Sequence, residues 1–231
     1  MNERYLKFYH QVIKQNISYF FGLSLFLGIL SVLFFISHRD ILLEWFNSNR
    51  SPFLNYFFIS ASKIAEEEGI IIVFLLLLFV RYSLFVITIL SVSITTLTAN
   101  IIKTITDLPR PFYIYEQIHN FTINFVPGVE IHRFMSFPSG HTAAAFSMLF
   151  FFLFLSKNIY HRLGVLILSI LVGLSRIYLF QHFTYDVLFA TILGVLIALI
   201  FSFVFIHFDW YIQLDEKKGL YYDLFTKNKK V

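Results

Sequence analysis

Two histidines, one carboxylate, three permanent cations and a Ser-Gly pair stand out in an otherwise apolar chain. Lys103 precedes Arg110-Pro111, the tetrapeptide Pro138-Ser139-Gly140-His141 runs straight into an apolar segment, and Ser175-Arg176 is followed by His182 and Asp186. Three cations and the N–H groups of a helix start make a site for a multiply charged anion, most naturally phosphate. Pro138 suits the start of a helix, Ser139 can cap it, and Gly140 lets backbone approach a ligand with no side chain in the way. His182 and Asp186 are four apart, so on a helix they share a face. A carboxylate bonded to one ring nitrogen fixes the tautomer and leaves the other nitrogen's lone pair free to attack. His141 belongs to a different segment and would sit across the phosphate, protonating a leaving oxygen. Attack on one side and proton donation on the other is what in-line phosphoryl transfer requires. No acidic cluster with metal-ligand spacing accompanies the set, which points to a reaction without metal or cofactor.

The elements that must position these residues are membrane spans. Of 231 residues 58% are apolar and only 14% charged, whereas a soluble domain carries about a quarter charged residues. Apolar runs of about 20 residues predict helices over 17–36, 84–102, 163–180 and 187–206, and two shorter runs predict spans over 64–80 and 139–155. The expectation is an all-α integral membrane bundle of six helices, a single domain over residues 1–231, with its site built from 103–186. Arg4, Lys7 and Lys14 precede the first run, which is too long for a signal core and lacks small cleavage-site residues after it, so it is read as a retained span. With the N-terminus inside, the cytoplasmic segments hold eleven Lys and Arg residues and the outer segments seven, favouring an N-in, C-in orientation. Six crossings then bring the end of the third span, the start of the fourth and the junction of the fifth and sixth to one outer face. The chain has no cysteine, hence no disulfide framework, and no basic stripe outside the membrane flanks, so nucleic acid is not an expected partner.

"KTITDLPRP" (103–111), "PSGH" (138–141) and "SRIYLFQHFTYD" (175–186) match, in residue type, spacing and order, the three signature motifs K-x6-RP, PSGH and SR-x5-H-x3-D. The chain thus resembles the type-2 phosphatidic acid phosphatase superfamily, in its membrane-bound lipid phosphatase branch. The resemblance implies that His182 is the nucleophile forming a phosphohistidine, Asp186 its orienting partner and His141 the general acid. It implies that Lys103, Arg110, Arg176, Ser139 and Gly140 cradle the phosphate. The implied reaction is metal-independent hydrolysis of a lipid phosphomonoester or pyrophosphate. The charge count places it at the outer face of a cytoplasmic membrane, and the short cytoplasmic loops and compact length point to a bacterial one. Undecaprenyl pyrophosphate, phosphatidylglycerol phosphate, phosphatidic acid and lipid A phosphate all suit such a cradle.

The rival readings are a lipid phosphotransferase using the same intermediate and a non-catalytic binder or transporter of lipid phosphates. Alone, Lys103 would read as a snorkelling lysine at a span end and His182 with Asp186 as a capping pair; the combined spacing argues against both. Glu66, Glu67 and Glu68 read first as an interfacial acidic cluster, and would approach the basic site if the second span began upstream. Arg133, in the 112–137 loop, is a candidate cation for a second phosphate. The N-terminal segment and the lysine-rich tail after Asp215 are expected to rest on anionic lipid.

Overall fold

A computed structural model describes residues 3–36, 40–119, 121–217 and 219–220, and among them every regular element is helical. Short α1 (Glu3–Phe8) runs through a π turn and a 3₁₀ turn into α2 (Ile17–Ile36). Then come α3 (Ile41–Ser48), α4 (Pro52–Lys63), α5 (Glu67–Val80), α6 (Tyr82–Thr106), α7 (Pro111–Glu116), α8 (Gly140–Phe150), α9 (Ile159–Tyr178), α10 (Thr184–Phe205) and α11 (Asp209–Glu216). Four helical runs are long and apolar enough to cross a membrane: Tyr9–Ile36, Tyr82–Glu116, Ile159–Tyr178 and Thr184–Phe205; Gly140–Phe154 is a shorter apolar helix. Lys218, Lys227, Lys229 and Lys230 of the lysine-rich tail lie outside the described residues, as does Arg39.

The polarity of the bundle is inverted relative to a soluble protein. Large apolar side chains face outward along α2 (Phe21, Leu25, Phe35), α5 (Ile71, Ile72), α6 (Leu97, Ile101) and α10 (Phe189, Leu196), while Ser83, Thr88, Ser91, Thr95, Ser147 and Thr191 are wholly buried. Such an apolar outer surface is matched by lipid, and the interior hydroxyls find partners within the bundle. Thr95 donates to the Ser91 carbonyl at 2.8 Å, and Ser91 and Ser147 share a hydroxyl–hydroxyl bond of 2.8 Å across α6 and α8. The protein is an integral membrane protein.

Helix α8 is the hub, packed on α6, α9 and α10 with every residue from Thr142 to Phe150 buried. Its Ala143-Ala144-Ala145 run permits close approach, and α10 answers with Gly194, where a Cβ would overlap the Ala143 carbonyl oxygen. A helix so enclosed by protein need not match the lipid thickness. The run expected over 139–155 accordingly resolves into eleven α-helical residues and a 3₁₀ turn, Phe151–Phe154. The span expected over 64–80 also differs. Its first three residues form a corner between α4 and α5, whose 14 residues rise only about 21 Å.

Candidate active site

The motif residues gather at one end of the bundle. Helix α6 stops one turn past Lys103, where Asp107 adopts a left-handed conformation (φ 40°) and its N–H closes on the Lys103 carbonyl at 2.9 Å. The Lys103 ammonium lies against Gly140, so close that a Cβ there would stand 3.6 Å from Nζ. The chain after α6 is tied to the segment before α8: Arg110 N–H donates to the Arg133 carbonyl at 2.8 Å and Ser136 N–H to the Leu108 carbonyl at 2.9 Å. Arg110 is buried, its Nη1 donating to the Gln181 side-chain oxygen at 2.8 Å and its Nε to the Phe134 carbonyl at 2.9 Å.

Helix α9 ends at Tyr178, and Phe180 (φ 62°) turns the chain in the left-handed region. The Arg176 carbonyl then accepts from both Gln181 N–H at 3.0 Å and His182 N–H at 3.2 Å. His182 therefore lies in the turn, ahead of α10, and not on the helix as the four-residue spacing suggested. It still meets Asp186, with Nδ1 3.4 Å from Oδ2, and both side chains are at most 1% exposed. That oxygen also accepts from Phe183 N–H at 2.9 Å and from the Ser136 hydroxyl, whereas Oδ1 has no partner among the described residues. Asp186 thereby caps its own helix while holding the imidazole. With Nδ1 turned to the carboxylate, Nε2 is the free ring nitrogen.

Ser139 occupies the N-cap position of α8, but its hydroxyl pairs with Thr142 Oγ1 at 2.8 Å and makes no cap bond. Its N–H instead donates to the Asp186 carbonyl at 3.3 Å, joining the start of α8 to the start of α10. His141, half-buried in the first turn of α8, lies within electrostatic reach of Arg176, Lys103, Arg110 and His182. Burial first, and then the charges of Arg110, Arg176 and Lys103, hold His182 well below the usual histidine range, so the ring is neutral. Arg110 and Arg176 are each 8% exposed, and among the described residues neither makes an ion pair with a carboxylate. Buried cations in that state favour an anionic ligand.

Several residues of the site escaped the sequence reading. Gln181 bridges the Arg110 guanidinium and, through Nε2, the Glu130 carbonyl at 2.7 Å. Ser136 bonds Asp186, and Ser62 accepts from Arg176 Nη1 at 2.6 Å. Asp40 caps two helices at once, accepting from Leu43 N–H at 3.1 Å and from the N–H and hydroxyl of Thr184. Adjacency to the motifs could have flagged Gln181 and Ser136; nothing local marks Ser62 or Asp40. Arg133, the candidate cation for a second phosphate, pairs with Glu116 at 3.0 Å and lies over the Phe112 ring. A cavity of about 330 Å³ opens at the opposite end, lined in part by Gln11, Arg81, Phe151, Lys157 and Asp215, and includes none of the site residues.

Two solved structures share this fold. The crystal structure of LpxE from Aquifex aeolicus aligns with a TM-score of 0.59 at 25% identity, covering 69% of this chain and 92% of that one. A transmembrane PAP2-type phosphatidylglycerolphosphate phosphatase from Bacillus subtilis aligns with a TM-score of 0.58 at 23% identity, over 82% of this chain and 95% of that one, a likeness of fold. No curated protein matches. The model of the PAP2 superfamily matches residues 81–210, which is more than half of the chain and includes all three motifs, and the protein therefore belongs to the PAP2 superfamily.

Proposed function

We propose that the protein is a membrane lipid phosphatase that hydrolyses the phosphomonoester or pyrophosphate of a membrane lipid through a phosphohistidine on His182. The observation that carries this reading is a buried His182, oriented by Asp186 and within electrostatic reach of Lys103, Arg110 and Arg176. The Nε2 lone pair attacks phosphorus while the P–O bond to the lipid breaks, and His141 gives the leaving oxygen its proton. Water then cleaves the P–N bond, with His141 taking its proton, and phosphate leaves. The three cations hold the equatorial oxygens, and the Gly140 and His141 amides at the start of α8 add donors. A lipid substrate fits the apolar rim beside the cations, where Ile101, Ile105, Leu108, Phe134 and Met135 are exposed. The LpxE likeness supports the same reading.

In this reading the single-domain chain is a six-helix bundle, with α5 and α8 as its two short crossings. Both termini lie in the cytoplasm, and the site opens at the outer face of a bacterial cytoplasmic membrane. The deciding experiment is phosphate release by the purified protein from undecaprenyl pyrophosphate, phosphatidylglycerol phosphate, phosphatidic acid and lipid A phosphate. At least one should be hydrolysed, with inhibition by orthovanadate and indifference to EDTA. His182→Ala and His141→Ala should abolish release while the protein still inserts. Substantial turnover by His182→Ala would reject the nucleophile, and strong EDTA inhibition would reject the metal-free mechanism.

A further inference from the structure

Arg176 is anchored on one side only. Its Nη1 donates to the Ser62 hydroxyl at 2.6 Å, and that hydroxyl donates to Glu66 Oε1 at 3.1 Å, while Arg176 Nε has no partner among the described residues. The Ser62 proton can point only one way. Given to Glu66, it leaves the oxygen's lone pairs facing the guanidinium, so the chain of bonds runs in one direction from cation to carboxylate. Glu66 is the carboxylate that draws on the Arg176 charge, opposing the repulsion from Arg110.

The local fold reserves Glu66 for this task. It stands at the N-cap of α5 yet makes no side-chain cap bond, because its carboxylate is turned back to Ser62. Glu67 and Glu68 are exposed, so the acidic triplet divides into one residue facing inward and two facing out. The corner that carries Glu66 is held firmly. Ala65 N–H and Glu66 N–H close on the Ser62 and Lys63 carbonyls at 3.0 and 3.2 Å, and Ala65 packs with Ala145 of α8 and Val172 of α9, one turn before Arg176. Gly69 permits the tight turn, since a Cβ there would overlap the Lys63 carbonyl oxygen.

We propose that Glu66, acting through Ser62, is a positioning residue that aims Arg176 at the transferring phosphoryl group. The proposal rests on the phosphatase reading of the site. A guanidinium is a planar fork on a flexible stem, and fixing one nitrogen sets the plane in which the remaining N–H groups meet phosphate oxygens. Mis-aim costs more in the transition state than in the ground state, because only the former demands in-line geometry.

The test compares Ser62→Ala, Glu66→Ala and Ser62→Thr with the unaltered protein. Ser62→Ala and Glu66→Ala should lower kcat about tenfold or more and weaken orthovanadate binding by a similar factor. Binding of inorganic phosphate, measured by calorimetry, should change less than about threefold, because ground-state binding is the less demanding of the two. Ser62→Thr, which keeps the hydroxyl, should restore kcat and vanadate affinity. Unchanged kcat and vanadate affinity in Ser62→Ala, or equal losses of vanadate and phosphate binding, would overturn the proposal, the second by revealing a merely structural tie. If the unaltered protein releases no phosphate from any lipid, the phosphatase reading fails, and the vanadate-to-phosphate ratio in Ser62→Ala still decides the role of Glu66. Absence of binding of either ion to the unaltered protein would overturn both.

Discussion

Asp186 does three things with one oxygen. Oδ2 faces His182 Nδ1, accepts from Phe183 N–H and accepts from the Ser136 hydroxyl, so the imidazole, the start of α10 and the loop before α8 are registered on a single atom. Asp186→Asn keeps the volume but offers an amide that can set its N–H against Nδ1, and it should lower kcat at least about 100-fold by releasing the tautomer. Ser136→Ala removes one of the three ties and should cost less, about tenfold; steady-state phosphate release ranks the two variants. His182 carries a pH signature as well. Its folded-state pKa lies below the ordinary 6.5, so below that pH the unfolded chain takes up a proton that the folded chain refuses. Stability from this residue is complete above pH 6.5 and is lost progressively as pH falls from there toward the lower folded-state pKa. In phosphate-free detergent, the melting midpoint of the unaltered protein should therefore drop more between pH 7.5 and 5.5 than that of His182→Gln. Identical drops would assign the ring an ordinary titration.

Helix α8 decides how the elements meet, and Gly194 of α10 lies close against it. An added side chain would enter the Ala143 carbonyl and press on Phe146 and Ser147, neither of which can retreat in a helix packed on three sides. Gly194→Val should destabilise the protein by about 1–3 kcal/mol through overpacking. Because α8 carries His141 and α10 carries Asp186, kcat should fall with the melting midpoint. Asp40→Ala removes the acceptor for Leu43 and Thr184 and should cost about 1–2 kcal/mol in lost capping, read from the same melting curve. These elements also show what a sequence can disclose. The four long helices followed from hydropathy, and the convergence of Lys103, His141, Arg176 and His182 followed from counting crossings. Hydropathy does not register a helix shielded from lipid, so the 3₁₀ end of α8 and the α4–α5 corner were not legible. Asp40, Ser62 and Gln181 act on residues far along the chain or on other elements, and no local periodicity encodes such partnerships.

At the scale of the whole molecule, the exposed apolar belt and buried hydroxyls define a membrane protein but leave its direction to charge. The asymmetry of eleven against seven cations rests partly on residues that the site itself requires. In the proposed function Lys103, Arg110 and Arg176 hold an anion, and removing them from the outer tally leaves four against eleven. That makes N-in, C-in the stronger expectation. The absence of cysteine makes it directly testable, because any introduced thiol is unique. Glu130 is exposed, and its backbone carbonyl touches Gln181 at the site end. Tyr160 is 80% exposed near the start of α9, about 24 Å along the helix from Arg176. A membrane-impermeant maleimide applied to intact cells, made leaky at any outer membrane, should label Glu130→Cys at once and Tyr160→Cys only after lysis. The opposite pattern would turn the site toward the cytoplasm, and with it the leaflet from which its lipid must come.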